Sequence, residues 1–139
     1  MAKNTLVRWH SDTWNNASLA ASVAGPASDI TNTDNISVHI KVGAGATGEF
    51  FIQASNIVDY TVVGTGANWY RGPGTNDWVT IPLVQADGTT AQTLAISGSA
   101  TQFLVNLNNL AHAFIRVIYT RTSGSGTANV WINGKSLSA

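Results

Sequence analysis

The feature that most constrains this chain is alternation with a period of two, interrupted every 8–12 residues by glycine-bearing turns. In Ile36-Ser37-Val38-His39-Ile40-Lys41-Val42 the apolar side chains fall on one face and Ser37, His39 and Lys41 on the other. Side chains of an extended strand point alternately to its two sides, so this pattern suits a half-buried strand and not a helix. A second strand, Glu49-Phe50-Phe51-Ile52-Gln53-Ala54-Ser55, follows a glycine-rich connection, and the two read as a hairpin. Further strands are expected at 6–10, 60–63, 78–83, 93–96, 102–107, 113–121 and 127–133. Asp87-Gly88, Ser123-Gly124-Ser125-Gly126 and Arg71-Gly72-Pro73-Gly74 supply the turns and loops.

About eight short strands with no long helical period predict an all-β fold, a single antiparallel β-sandwich or jelly roll. Residues 31–139 would form the sandwich, and residues 1–30, the least strand-like part, an extended N-terminal arm or first strand. Within that stretch Leu19 and Val23 stand four apart, so 16–24 could form a short helix ended by Gly25-Pro26. The chain shows neither an internal repeat nor a second domain.

Composition narrows the function. The 139 residues carry 7 Lys+Arg and 7 Asp+Glu, a formal net charge of zero, and only 10% are charged. A neutral chain has no basic footprint for nucleic acid. No apolar run approaches the ~18–20 residues of a membrane-spanning helix. With no Cys there are no disulfides, thiolate chemistry or zinc ribbons. The N-terminus, Met1-Ala2-Lys3-Asn4, opens no signal peptide, so synthesis in the cytosol is expected. Near-zero charge also favours association, because nothing keeps copies apart.

Candidate chemistry is sparse. Gly43-Ala44-Gly45-Ala46-Thr47-Gly48 fits G-x-G-x-x-G, but a dinucleotide site needs a helix next and Phe50-Phe51-Ile52 continues as strand. It reads as a turn. His10, His39 and His112 lack the clustered spacing of metal ligands. The carboxylates sit mostly in loops, where capping suffices, and no nucleophile elbow is present. The sequons at Asn16 and Asn35 have no machinery to meet in the cytosol. No enzyme activity, cofactor or metal is therefore expected.

Three strands break the sandwich pattern. Ala113-Phe114-Ile115-Arg116-Val117-Ile118-Tyr119 carries large apolar residues on both faces. Trp131 opposes Val130 and Ile132, and Phe51 opposes Phe50 and Ile52. A solvated outer face should be polar, so the second face must also be covered, by the same chain or by another subunit. Interfaces are rich in aromatics and Arg and poor in other charges. Phe51, Phe114, Arg116, Ile118 and Trp131 are the expected interface. Trp69, Tyr70 and Trp78, with Asn76 and Asp77 beside them, form a possible aromatic ligand-binding patch, or else simply pack their loop.

Residues 34–135 resemble the small β-sandwich structural proteins of tailed bacteriophages. The resemblance rests on Phe50-Phe51-Ile52-Gln53-Ala54-Ser55-Asn56, Trp78-Val79-Thr80-Ile81 and Phe103-Leu104-Val105-Asn106-Leu107. It rests most on Ala113-Phe114-Ile115-Arg116-Val117-Ile118-Tyr119-Thr120 with Gly124-Ser125-Gly126-Thr127 and the ending Ile132-Asn133-Gly134-Lys135. It implies a virion component, most like a capsid decoration (cement) protein on the exterior of the head. Such a protein would be a dimer or trimer bound to the major capsid protein of the phage shell, with no nucleic-acid or membrane partner. The arm would reach onto a neighbouring subunit. A carbohydrate- or receptor-binding module, or a head–tail or tail component, would carry the same patterns.

Overall fold

The computed structural model describes residues 5–30, 33–57, 59–62, 68–71, 73–85, 87–108 and 112–138. Side chains are described from Trp14 onward, except at 59–62, 68–71 and 136–138. In chain order the strands are β1 (Thr5–Ser18), β2 (Val23–Ala24), β3 (Ser28–Asp29), β4 (Asn35–Val42), β5 (Ala46–Ser55) and β6 (Asp59–Val62). Then come β7 (Asn68–Arg71), β8 (Val79–Thr80), β9 (Leu94–Ser97), β10 (Thr101–Leu107), β11 (Phe114–Gly124) and β12 (Thr127–Ser138). All pairing between them is antiparallel. The all-β antiparallel sandwich expected from the alternation is present. The strands outnumber the expected eight because two-residue pairs such as β2 and β3 leave no period-two signal, and the strand expected at 78–83 shrinks to the pair β8.

A four-stranded sheet has the order β1-β12-β4-β10. The second sheet has six strands, β2 and β3 beside β11, then β5, then β8 and β9. The two correspond position by position. β1 continues into β2, β4 into β5, β9 into β10 and β11 into β12, so each connection leaves one sheet and enters the matching place in the other. The molecule is thus built like one sheet folded over on itself.

All four connections meet at the folded end. Leu19 N donates to Gly126 O at 2.9 Å, Gly43 N to Thr127 O at 2.9 Å, Gly45 N to Gly98 O at 2.9 Å and Ser125 N to Gly45 O at 3.2 Å. Backbones this close leave no room for side chains. A Cβ on Gly124 would lie 2.1 Å from Gly45 O, and one on Gly45 would lie 2.3 Å from Ser125 O. Both also hold positive φ, 74° and 116°, where L-residues are strained.

This corrects the hairpin expected for 36–42 and 49–55. β4 pairs with β12 and β10, whereas β5 pairs with β11, β8 and β9. Their inward residues, Ile36, Val38, Ile40 and Val42 on one strand and Phe50, Ile52 and Ala54 on the other, form facing walls of one core. A hairpin would have put both on the same wall.

The N-terminal region is taken into the sandwich. Residues 5–18, read as an arm or first strand, run along β12, and no helix forms over 16–24. Ala17 and Ser18 pair with Ala128 and Thr127, and Val23 with Tyr119, so the sheets claim the backbone that a helix would need. Trp14, Leu19 and Ile30 sink into the core. Reaching from Thr5 onward to a neighbouring subunit would therefore require removing β1 from its own sheet.

Register shifts at Asp12/Trp14 and Trp14/Ala17 turn Trp14 inward, opposite Val130. Asn16 absorbs the bulge at φ 49°, which Asn tolerates. Its backbone N–H donates to Asn129 Oδ1 at 2.9 Å, and its side-chain Oδ1 accepts from Asn129 Nδ2 at 3.2 Å. Inside, Trp14, Phe50 and Tyr119 stack in a tilted series with centroids 6.0 and 4.9 Å apart. The Tyr119 hydroxyl donates to Thr47 O at 3.0 Å, and burial pushes its phenol pKa up.

Candidate functional site

The strand register assembles a cluster on the outer face of the second sheet. Arg116 of β11 lies opposite Gln53 of β5, and Gln53 opposite Thr80 of β8. Side chains directly opposite on one face are within reach of each other. Arg116 Nε donates to Gln53 Oε1 at 2.8 Å, and Gln53 Nε2 donates to Thr80 Oγ1 at 3.4 Å. Two residues before Thr80, Trp78 brings its ring under the guanidinium, 4.5 Å from Arg116 Cζ to the centroid. A cation over an indole face is worth about 0.5–1 kcal/mol at an exposed site. Partial burial lowers the Arg116 pKa, yet a guanidinium keeps its charge under ordinary conditions.

Phe51 and Ile118 are register partners on the same outward face, both half-buried. The structure therefore brings together Phe51, Arg116 and Ile118 from the expected interface with Trp78 from the expected aromatic patch. Phe114 shares this side of β11, but at 3% exposure it has almost no surface to offer a partner.

Trp131 lies elsewhere, which corrects the single face expected for Phe114, Ile118 and Trp131. The chain changes sheets at Ser125-Gly126, so β11 and β12 face outward on opposite sides of the sandwich. On its own side Trp131 sits across from His39, with ring centroids 5.4 Å apart. His39 Nε2 is 2.8 Å from Gln102 Oε1, and Leu104, the next register partner, is 63% exposed. The flanking residues Lys41, Asn129, Ser37, Asn133 and Asn106 are polar. Trp131, His39 and Leu104 are thus an apolar row across a mostly polar face.

Beside Trp78 runs a groove of about 340 Å³ lined by Ala54, Ile57, Val79, Ile81, Pro82 and His112, with Asp77 at its edge. Ile57 and Val79 project at 49% and 72% exposure. Sequence reasoning missed them because neither belongs to a long alternating run. Trp69 and Tyr70 lie in β7 opposite Thr61 and Tyr60, but their side chains, like those of Trp9 and His10, are outside the described residues.

The polar chemistry present here is structural. Asp77 accepts from Gly74 N at 2.8 Å and so pins its own loop. Asp87 accepts from Thr89 N, Thr90 N and the Thr90 hydroxyl, and these bonds, the hydroxyl's foremost, hold its carboxyl below the usual range. Among the described residues no three His, Asp or Glu converge as metal ligands would.

These features define an antiparallel β-sandwich with apolar groups on both outer sides. No protein-family model and no curated protein sequence matches the chain. Among solved structures it is similar to the SPBc2 prophage-derived protein YomS, with TM-score 0.57 and 11% identity, covering 98% of this chain and 99% of that one. At that identity the likeness shows a shared fold. Weaker similarities are to a disulfide-linked pilus protein of Bacillus endospore appendages (TM-score 0.40, 14% identity, 97% and 92% covered) and to the coat protein of Tobacco streak virus (TM-score 0.37, 8% identity, 98% and 88% covered).

Proposed function

We propose that the chain is a non-enzymatic structural protein of a phage virion, a decoration (cement) protein that stabilises the assembled head from its exterior. The observation that carries this reading is the presence of apolar side chains on both outer sides of one sandwich. Phe51, Ile118 and Trp78 with Arg116 occupy one side, and Trp131 with Leu104 the other. A subunit that bridges neighbours needs two such sides, and aromatic and Arg side chains are enriched where proteins meet. The whole-length similarity to a prophage-derived protein supports the same setting.

The mechanism is adhesive. A protein that binds the assembled shell better than free capsid subunits stabilises assembly by mass action. Many copies make modest contacts collectively strong. The partners are the major capsid protein, bridged through the two outer faces and not through an N-terminal arm, and further copies of this chain, as a dimer or trimer.

The test is co-sedimentation. The chain is mixed with assembled shells of its phage, and separately with unassembled capsid protein. It is expected to pellet with the shells and to remain soluble with the subunits. A chain that ignores shells overturns the cement reading. Binding instead to isolated tails would place it as a tail component, and glycan binding lost on Trp78→Ala would favour a carbohydrate-binding module.

A further inference from the structure

Each edge of a sheet exposes unpaired backbone N–H and C=O groups, and soluble proteins usually blunt them. Most edges here are blunted. β2, β3 and β8 are two residues long, and β9 is four. β1 is long, but it carries Arg8 and Asp12 and breaks its register at two places. Among the described strands the exception is β10.

Thr101-Gln102-Phe103-Leu104-Val105-Asn106-Leu107 is a seven-residue edge strand with no charge, no Pro and unbroken register against β4. No other described strand pairs with it. Its outward residue Leu104 is 63% exposed. The absence of charge extends well beyond the strand, since no Asp, Glu, Lys or Arg occurs between Asp87 and Arg116. This interval also contains β9, the edge of the second sheet on the same side of the sandwich.

We infer that β10 pairs antiparallel with β10 of a second copy, joining the two four-stranded sheets into one continuous sheet about a two-fold axis at Leu104. The strand is self-complementary in this register. Leu104 meets Leu104 of the partner subunit, Gln102 meets the partner's Asn106, and Phe103 meets the partner's Val105. Inward residues stay inward, so the cores remain aligned. Only with the axis at Leu104 do all seven residues find partners, and no like charges are opposed. A two-fold interface has to be self-complementary in this way. The proposal stands apart from the virion role, because it concerns how two copies meet and not what they bind.

Sedimentation equilibrium of the full chain tests it, with two variants. Wild type is expected to be a dimer at micromolar concentration. Leu104→Lys places ammonium groups opposite one another and is expected to weaken the dimer at least about tenfold. Because Leu104 is exposed in the single subunit, that variant should still unfold cooperatively, losing only the concentration-dependent part of the melt that dimerisation adds. Leu104→Cys uses the absence of any other cysteine. Opposed Cα atoms in an antiparallel pair are about 4.5–5.5 Å apart, within disulfide range. Mild oxidation should therefore cross-link it as a dimer, whereas Thr120→Cys on the outer face of the second sheet should not cross-link. A monomeric wild type, a Leu104→Lys variant that dimerises as wild type does, or equal cross-linking of both cysteine variants would each overturn the pairing.

Discussion

At the folded end of the sandwich, backbone meets backbone. Gly45 and Gly124 approach so closely that neither has room for a Cβ, and four chain crossings share one hydrogen-bonded knot. On the outer faces the contacts are between side-chain tips: Arg116 over Trp78, Trp131 against His39, and Leu104 projecting freely. The folded end fixes the shape of the subunit and tolerates almost no change. The outer faces contribute little to that shape, so their apolar residues are free to serve association.

Substitutions can break this contrast in order of expected effect. Gly124→Val combines a steric clash with a positive φ and should cost roughly 3–5 kcal/mol, or prevent folding, in urea denaturation. Gly88→Ala gives the scale of strain alone. Its φ is also positive, 76°, but nothing lies within 4 Å, so the loss should be about 1–2 kcal/mol. Trp14→Ala should cost about 3–5 kcal/mol by opening the core. Trp14→Phe should cost much less, because the buried indole N–H has no hydrogen-bond partner among the described residues and its removal relieves that penalty.

On the outer faces, Arg116→Ala and Trp131→Ala should each change stability by no more than about 1 kcal/mol. Their effect should appear in association with shells, read by co-sedimentation. The smallest effect belongs to Asp87. Its carboxyl pKa is held down by Thr90 and Thr89, so the stabilisation is present above the ordinary carboxylate value and is lost as pH falls through the lowered one. Asp87→Asn should melt slightly below wild type at neutral pH, and the gap should close below about pH 4.

How much of this was legible follows from the same contrast. Alternation fixes which residues of a strand face the core, and it did so for Ile36, Val38, Ile40, Phe50, Ile52 and Val130. It does not say which sheet a strand enters. Gly43-Ala44-Gly45 and Gly124-Ser125-Gly126 serve equally well as hairpin loops or as sheet-changing corners, since both need positive φ and small residues. That ambiguity merged Trp131 with Ile118 on one face, although the fold sets them on opposite sides. Likewise no alternation marks Trp14 as a core residue, because the bulges that turn it inward have no period. The cluster of Arg116, Gln53 and Trp78 was legible only as residue types, because cross-strand neighbours depend on register.

The most direct measurement is the retention on assembled shells of a variant that alters both outer faces and leaves the folded end intact. Ile118→Lys with Trp131→Lys serves, its fold first confirmed by a melt close to that of wild type. If the two faces bridge capsid subunits, the folded double variant stays in the supernatant while wild type pellets with the shells. A double variant that pellets as wild type does would contradict the assignment of these faces to assembly.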